Sequence, residues 1–222
     1  MKKYDIKTTD KETLRKWFYL MTLGRAIDEK APSYLLQSLG WSYHAPYAGH
    51  DGIQLAMGQV FDKDTDFLFP YYRDMLTVLS AGMTAEEIIL NGISKATDLT
   101  SGGRHMSNHF SKMEWHIENV SSATATHDLH AAGVARAMVY YGQKGVAITS
   151  HGESAASEGY VYEAINGASK SDCRLSLSSK TMDMVSLSPK RTRRPIVKLP
   201  ITSLASRIYV LSIAMEKMCS IP

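Results

Sequence analysis

The sequence predicts an α/β fold in which a parallel sheet is flanked by helices. Short apolar runs alternate with helical periods, as they do where parallel strands are joined by helical crossovers. The clearest such unit is residues 145–150, a buried-strand pattern that ends at His151 in a polar turn and continues as a helix through Ala168. The 222 residues suffice for one sizeable core, or for a domain with an appendage.

The first part of the chain is predicted to be mainly helical. Thr9 and Glu12 have the spacing of a capping box before a long amphipathic helix. Its apolar stripe is formed by Leu14, Trp17, Phe18, Met21 and Ile27. The next helix carries its apolar face on Ile53, Ala56, Met57 and Val60. Such stripes indicate packing against a core and not chemistry.

An extended segment and two further helices follow. Phe67–Phe69 is predicted to be extended and ends at Pro70, after which a helix runs to Gly82. Thr84 and Glu87 cap the next helix.

A long polar segment separates these helices from the predicted strand. Residues 95–122 show little periodicity and exceed the length of an ordinary connector, so they are a candidate functional loop. Residues 126–141 are predicted to be helical and are rich in alanine, which allows close packing on a sheet.

The composition changes near residue 173. All 15 glycines lie in residues 1–170, which have a net charge of −3, whereas residues 171–222 carry nine basic and three acidic side chains. The basic run at residues 190–194 could be a nucleic-acid patch, but the remaining chain shows no basic face. We therefore expect no nucleic-acid binding.

Cysteine usage and hydropathy indicate the compartment. Cys173 and Cys219 show no metal-ligand spacing, and the absence of earlier cysteines favours a reducing, cytoplasmic setting. No apolar run approaches the roughly 18 residues of a membrane helix, and residues 1–10 lack the apolar core of a signal peptide. We expect no membrane association.

One acidic residue, Glu153, lies at the tip of the turn after the predicted strand. Ligands of parallel sheets bind at this place, where helix N-termini offer amides to phosphate. A carboxylate beside a phosphate is favourable when a divalent cation such as Mg²⁺ bridges the two. Spacing alone leaves a second interpretation open, since an acidic side chain near a helix start commonly interacts with the helix dipole.

The turn resembles the thiamine-diphosphate motif of the α subunit of 2-oxo acid dehydrogenases, the decarboxylating first component of the branched-chain and pyruvate complexes. That motif opens with Gly-Asp/Glu-Gly, continues with Ser-Glu/Gln-Gly, and ends in Gly-x3-Glu-x2-Asn-x-Ala. The matching positions are Gly152-Glu153-Ser154, Ser157-Glu158-Gly159, Glu163, Asn166 and Ala168.

The resemblance extends upstream over about residues 10–172. Tyr72-Arg73 is similar to the family's Tyr-Arg pair, and Gly103-Arg104-His105-Met106 with His109 is similar to its Gly-Arg-x-Met-x-x-His loop. Residues 121–127 occupy the place of Ser-Ser-Pro-Leu-Ala-Thr-Gln. The family's fold is a thiamine-diphosphate-binding fold with a parallel sheet flanked by helices.

The resemblance implies a role for each matching residue. The cofactor-binding residues would be Tyr72, Arg73, Ser122, Thr124, Gly152, Glu153 and Ser154. The metal ligands would be Glu153 for Mg²⁺ and, for a monovalent cation, Ser121, Thr126 and His127. Three departures weaken parts of this pattern: Ser154 replaces a glycine, Ala123-Thr124 replaces Pro-Leu, and His127 replaces glutamine.

Several of these residues also have simpler interpretations. Arg73 alone could pair with Asp74 or another surface neighbour. His105 and His109 could ligate a metal if their segment were helical, but the glycine-rich context favours a polar loop that faces the cofactor. Asn166 lies inside a helix, where a packing or hydrogen-bonding role is expected.

The resemblance ends near Cys173. Where the family has an apolar strand ending in Asn-Gly-Tyr, whose asparagine completes the metal site, residues 173–182 resemble a poor buried strand. With permissible codons chosen for Asp172 to Lys198, restoring one base after Asp172 permits Leu-Pro-Val-Ile-Phe-Val-Val-Gln and then Asp-Asn-Gly-Tyr-Gly. We therefore expect a one-base deletion, with residues 1–172 as the N-terminal part of the α domain and residues 173–222 as an out-of-frame basic tail. The fold would be incomplete on its C-terminal side, without the next strand.

The function implied by the resemblance is oxidative decarboxylation of a branched-chain 2-oxo acid, with thiamine diphosphate and Mg²⁺ as cofactors. The acyl group would pass to lipoyl groups of a transacylase, and a β subunit or β domain would complete an α2β2-type assembly. Because the family's activating glutamate belongs to the β part, no catalytic residue is assigned in this chain. A pyruvate or acetoin dehydrogenase α subunit, a non-catalytic interaction fragment and a basic-tail nucleic-acid binder remain alternatives.

Overall fold

The computed structural model describes residues 9–37 and 39–180, and the backbone of residues 209–213. The described residues fall into two compact units. The first unit is drawn from Met1–Lys63 and Tyr72–Asn119, and the second from Asp64–Tyr71 and Val120–Pro222.

The first unit is helical in its described residues. Its helices are α1 (Lys11–Leu36), α2 (Asp51–Val60), α3 (Met75–Ala81) and α4 (Ala85–Gly92), with a 3₁₀ turn at Met113–Trp115. The predicted capping box before α1 is wrong. The cap is Asp10, whose Oδ1 accepts the Thr13 amide at 2.8 Å, so the helix begins after residue 10.

The buried faces of α1 and α2 differ from the predicted stripes. Phe18 is 69% exposed and Val60 is 64% exposed, so neither belongs to the core. On α2 the buried side includes Gln54 and Gly58. A Cβ at Gly58 would collide with the Thr77 carbonyl, so the absence of a side chain brings α2 and α3 close together. A hydropathy pattern does not identify this buried face, because the close contact depends on the small size of Gly58 and not on apolar side chains.

The ends of α3 and α4 confirm the predicted signals. Gly82 ends α3 in the left-handed conformation, with φ of 115°. Thr84 and Glu87 form both hydrogen bonds of a capping box at the start of α4. Glu87 also forms an ion pair of 2.7 Å with Lys112, whose ammonium lies 3.6 Å from the centre of the Trp115 ring. The cap of α4 thereby contacts the long polar segment of residues 95–122 through Lys112.

The second unit is an α/β structure. Its strands are β1 (Phe67–Phe69), β2 (Ala147–Gly152), β3 (Leu175–Lys180) and β4 (Tyr209–Ile213), arranged in that order and parallel to their neighbours. Helices α5 (Thr126–Tyr140) and α6 (Gly159–Lys170) join the second unit. The predicted parallel sheet with flanking helices is confirmed.

The helices pack on the sheet through small side chains. The alanines of α5 and α6 share one buried core cluster with Ala147 and Leu175 of the sheet. The buried members of this core are Phe69, Val120, Ala131, Ala132, Ala135, Ala147, Ala164, Ala168, Cys173 and Leu175. The alanine-rich pattern of α5 thus has the close-packing role that the sequence predicts.

The expectation that the next strand is missing is wrong for the described residues, because Leu175–Lys180 form β3. Leu175 and Leu177 of β3 are buried and pair in register with Ala147 and Thr149 of β2. Ser176 and Ser178 alternate with them, and alternating side chains of a strand point to opposite faces. One apolar face is sufficient for docking here, whereas the prediction required both faces to be apolar.

Within the described residues, no helix combines the length and the apolar character that crossing a membrane requires.

Candidate functional site

The site in the second unit lies at the carboxyl ends of β2 and β3. Glu153 follows β2 directly and is half-buried, with helical backbone angles. Its amide donates to the Lys180 carbonyl at 2.9 Å, so the pairing of the two strands continues into the turn. The main chain of β3 therefore fixes the place from which the Glu153 carboxylate projects.

The turn after Glu153 leaves amide groups available to a ligand. Ser154 is exposed and begins a 3₁₀ turn at Ser154–Ser157, and Glu158 precedes α6 without a side-chain capping hydrogen bond. The first amides of a helix lack partners within the helix, and they attract anions. A phosphate group fits the N-terminus of α6 on these grounds.

Tyr71 and Lys180 lie beside this turn. A Cβ at Gly152 would stand 3.6 Å from the Tyr71 hydroxyl, which is ordinary contact. The Lys180 ammonium lies 5.6 Å from the centre of the Tyr71 ring, and the residue is only 3% exposed. Burial lowers the pKa of Lys180 well below its usual range. Sequence reasoning missed this lysine because the residues around it looked out of frame.

The segment that precedes α5 is exposed. Ser121, Ser122 and Thr124 all face solvent. The Ser121 Oγ accepts the Ala123 amide at 3.1 Å, and the Thr126 hydroxyl donates to the Ala123 carbonyl at 2.9 Å. These internal bonds shape the segment as a turn whose hydroxyl side chains are accessible.

Side chains of the first turn of α5 form hydrogen bonds with the end of β2. Asp128 accepts hydrogen bonds from the Thr149 hydroxyl at 2.7 Å and from His151 Nδ1 at 2.8 Å. His127 Nε2 donates to the Ser150 carbonyl at 2.7 Å. We call this set of four side chains, His127, Asp128, Thr149 and His151, the β2 clamp. Of these, sequence reasoning singled out only His127, and for a different role.

Burial and charge act in opposition within the clamp. Burial acts to raise the pKa of Asp128, but its interactions with His151, His127 and Thr149 outweigh burial, so the pKa lies below its usual value. Burial is the main cause of the lowered pKa of His127. Asp128 is thus held as a carboxylate, which suits an acceptor of two hydrogen bonds.

Tyr72 and Arg73 belong to the first unit. Arg73 Nη1 donates to the Pro46 carbonyl at 3.1 Å, and its guanidinium lies 5.1 Å from the centre of the Tyr72 ring. Tyr72 makes an edge contact with Tyr43 at 5.6 Å. The aromatic contacts restrict a side chain that is partly exposed and retains donors for an anionic ligand.

The loop of residues 98–109 is organised by a buried aspartate. Asp98 accepts hydrogen bonds from the amides of Thr100, Ser101 and Gly103. His105 and His109 stack with their ring centres 4.5 Å apart.

This loop is not helical, so the i and i+4 metal interpretation of its histidines has no support in the geometry. No group of three or more His, Cys, Asp or Glu in the described part of the chain could hold a metal ion.

The downstream motif residues lie on α6. Asn166 is exposed, so it does not have the packing role expected of it. Tyr160 and Tyr162 are 43% and 48% exposed, so neither belongs to the core. The site residues predicted from the sequence are thus divided between the units, with Tyr72 and Arg73 in the first and the others in the second.

Comparisons with known proteins agree with the strand-turn-helix geometry. The family model described as "Dehydrogenase E1 component" matches residues 19–175. The 2-oxoisovalerate dehydrogenase subunit alpha of Bacillus subtilis is 34% identical over 164 residues, which cover 72% of this chain and 48% of the relative.

Two relatives are α subunits of another complex. The pyruvate dehydrogenase E1 component subunit alpha of Mycoplasma genitalium is 28% identical over 169 residues, 75% of this chain and 43% of the relative. The protein of that name from Bacillus cereus is 31% identical over 164 residues, 71% of this chain and 38% of the relative. The chain matches less than half the length of each of these three relatives.

Proposed function

Because the chain belongs to the dehydrogenase E1 component family, we propose that it is part of the α subunit of a 2-oxo acid dehydrogenase. The observation that carries the proposal is the turn at Glu153, which lies at the carboxyl end of a parallel strand inside the segment that matches the family. The substrate proposed is a branched-chain 2-oxo acid, since the 2-oxoisovalerate relative is 34% identical and the pyruvate relatives 27–31%. Pyruvate and acetoin remain the alternatives.

The residues present fit the anionic part of thiamine diphosphate. In the second unit, the uncapped N-terminus of α6 suits a diphosphate group, and the exposed hydroxyls of Ser122 and Thr124 suit a polar ring. In the first unit, the guanidinium of Arg73 by itself suits an anionic group. When bound, this cofactor supplies the carbanion and the electron sink for decarboxylation. The protein's own contribution is to bind and orient it through these donors.

The residues present do not complete a site for Mg²⁺. Glu153 offers one carboxylate, but no group of three acidic, histidine or cysteine side chains able to hold a metal exists among the described residues. A hard divalent ion needs several oxygen ligands. We derive no step through the metal in this chain. In the monovalent site proposed for Ser121, Thr126 and His127, the hydrogen bond of His127 Nε2 to the Ser150 carbonyl leaves Nδ1 as the ring atom that would ligate the cation.

A shifted reading frame explains the missing metal ligand. We propose that residues from Cys173 onward are read out of frame, since the family match ends at residue 175 and restoring one base recovers the family's Asn-Gly-Tyr. The altered segment still forms β3 because alternate leucines suffice for one buried face. The activity, the β partner, the lipoyl transacylase and the α2β2-type assembly are proposed for the in-frame protein.

Two experiments test the proposal. The first is resequencing of the DNA across the codons for Ser169 to Cys173, where an extra base would restore the full reading frame. The second is thermal unfolding with thiamine diphosphate and Mg²⁺. We expect little stabilisation of the present chain, and saturable stabilisation of the frame-restored protein, because only the latter has the asparagine ligand. Absence of stabilisation in the restored protein would overturn the cofactor assignment.

A second candidate is a non-catalytic interaction fragment of the same subunit. The specific observation in its favour is the folded first unit, which has its own capped helices and buried core independent of the metal ligands. Copurification with a β subunit, without decarboxylation of 2-oxoisovalerate or pyruvate, would support this candidate. Turnover by the copurified complex would exclude it.

A further inference from the structure

The β2 clamp joins two segments that are distant in sequence. On one side, His127 and Asp128 follow directly after residues 121–126, of which residues 121–124 are exposed. On the other side, residues 149–151 precede the Gly152-Glu153 turn. The clamp makes three hydrogen bonds to three successive residues of β2, all between 2.7 and 2.8 Å. The start of α5 therefore cannot shift along β2 without breaking at least one of these hydrogen bonds.

The interior of the clamp excludes water. Asp128 and Thr149 are fully buried, and His151 is 1% exposed. A hydrogen bond to a charged group in such surroundings is stronger than one at the surface, and its loss leaves a buried polar group unsatisfied. The His151 ring is held through Nδ1 only, since its buried Nε2 has no hydrogen-bond partner among the residues that the structure describes. The orientation of the ring therefore depends on Asp128.

We propose that Asp128 is a positioning residue that, together with His127, holds the segment of residues 121–126 in register with the Glu153 turn. A ligand with a diphosphate at one end and a polar aromatic ring at the other needs the spacing of these two segments to be constant. This inference rests on the proposed function for the identity of that ligand. The clamp itself is independent of the cofactor and of the metal.

The first test is spectroscopic and uses the full chain without ligand. A buried imidazole N–H that donates to a carboxylate gives a far-downfield proton resonance. We expect this resonance for His151 in the parent protein and its loss in Asp128→Asn. The control His130→Asn changes an exposed histidine of the same helix and should leave the resonance in place. A parent protein without the resonance would overturn the proposal.

The second test is hydrogen exchange by mass spectrometry in the same proteins. In Asp128→Asn we expect roughly ten-fold faster exchange in both clamped segments, residues 121–127 and 152–158, as for the loss of one local hydrogen bond. Thr149→Val leaves the hydrogen bond of His151 to the Asp128 carboxylate in place and should give a smaller change of the same pattern. His151→Asn places an amide donor near the position of Nδ1 and should keep most of the parent's protection against exchange.

The pattern of exchange separates positioning from general stability. Equal acceleration in all peptides of the second unit would show a merely structural residue, and acceleration in only one segment would show that the two are not coupled. Either result contradicts the proposal. Titration with thiamine diphosphate and Mg²⁺ adds a separate arm. Little binding by the parent chain is the expected result, and absence of binding by the frame-restored protein would overturn the cofactor assignment, while the resonance and the exchange pattern still decide the clamp.

Discussion

Replacing Lys180 with methionine should remove a pH dependence from the stability of the second unit. The side chain is 3% exposed, and burial lowers its pKa well below the usual range. Between the folded-state pKa and the unfolded value of about 10.4, the unfolded chain binds a proton that the folded chain does not. The unfolding free energy of the parent therefore rises with pH in this window, by up to about 1.4 kcal/mol per pH unit.

The magnitude is large enough to measure. For each pH unit within this window the parent should gain up to about 1.4 kcal/mol relative to Lys180→Met, a considerable part of the 5–15 kcal/mol typical of a domain. Urea unfolding followed by far-ultraviolet circular dichroism is suitable, because Trp17, Trp41 and Trp115 all belong to the first unit and their fluorescence would not report on the sheet.

The control for this experiment is Lys170→Met, which changes an exposed lysine at the end of α6. Its unfolding free energy should follow that of the parent at every pH. A parent and Lys180→Met pair that differ by a constant amount across the range would refute the reasoning, because it would show that the amine titrates as it does in the unfolded chain.

Three further predictions concern other parts of the molecule. Gly145→Ala should lower the unfolding free energy of the second unit by about 1–3 kcal/mol in urea, because φ is +109° and a Cβ would collide with the Thr65 carbonyl. Glu87→Gln should destabilise the first unit by about 1–2 kcal/mol at neutral pH. Burial acts to raise the pKa of Glu87, but the bond to Lys112 and the helix cap outweigh it, so stability is lost as pH falls through the lowered folded-state pKa and the parent should then approach the variant. Arg73→Gln should weaken inorganic pyrophosphate binding by about ten-fold in calorimetry with an unchanged melting temperature, since the side chain is partly exposed; equal affinity would contradict its anion role.

The strand-turn-helix unit was predictable because its signals are local. A buried apolar run, a polar turn and an alanine-rich helix each carry their own pattern, and parallel pairing follows from their alternation. The position of Glu153 at the carboxyl edge of the sheet followed from that topology. The exact extent of β2, which reaches Gly152, did not, because pairing with β3 carries the strand beyond its apolar residues.

The strand β3 was not predicted because its sequence satisfies one face only. Leu175 and Leu177 provide the contact with the helix layer, while serines occupy the other face. Hydropathy averaged over the segment treats these serines as evidence against a buried strand. The alternation of leucine and serine was the signal that could have identified it.

The β2 clamp was not predicted because it depends on two distant parts of the sequence. Asp128 in the first turn of a helix suggests an interaction with the helix dipole, and His151 at a strand end suggests a ligand-facing residue. Only the fold shows that each is the other's partner, at 2.8 Å. The available signal was the position of Asp128 and His151, which lie on α5 and β2, two elements that pack through small side chains such as Ala131 and Ala147.

The hydrogen bond from the Glu153 amide to the Lys180 carbonyl connects two main chains and involves no side chain. Such a bond makes no demand on residue identity beyond the exclusion of proline at the donor. A mutation that rewrites every codon after position 172 can thus replace the whole complement of side chains on β3 and still leave the acidic turn supported. Under the proposed frame shift, the turn would keep its main-chain support, and restoring one base would add the asparagine ligand beside a turn that is already held in place.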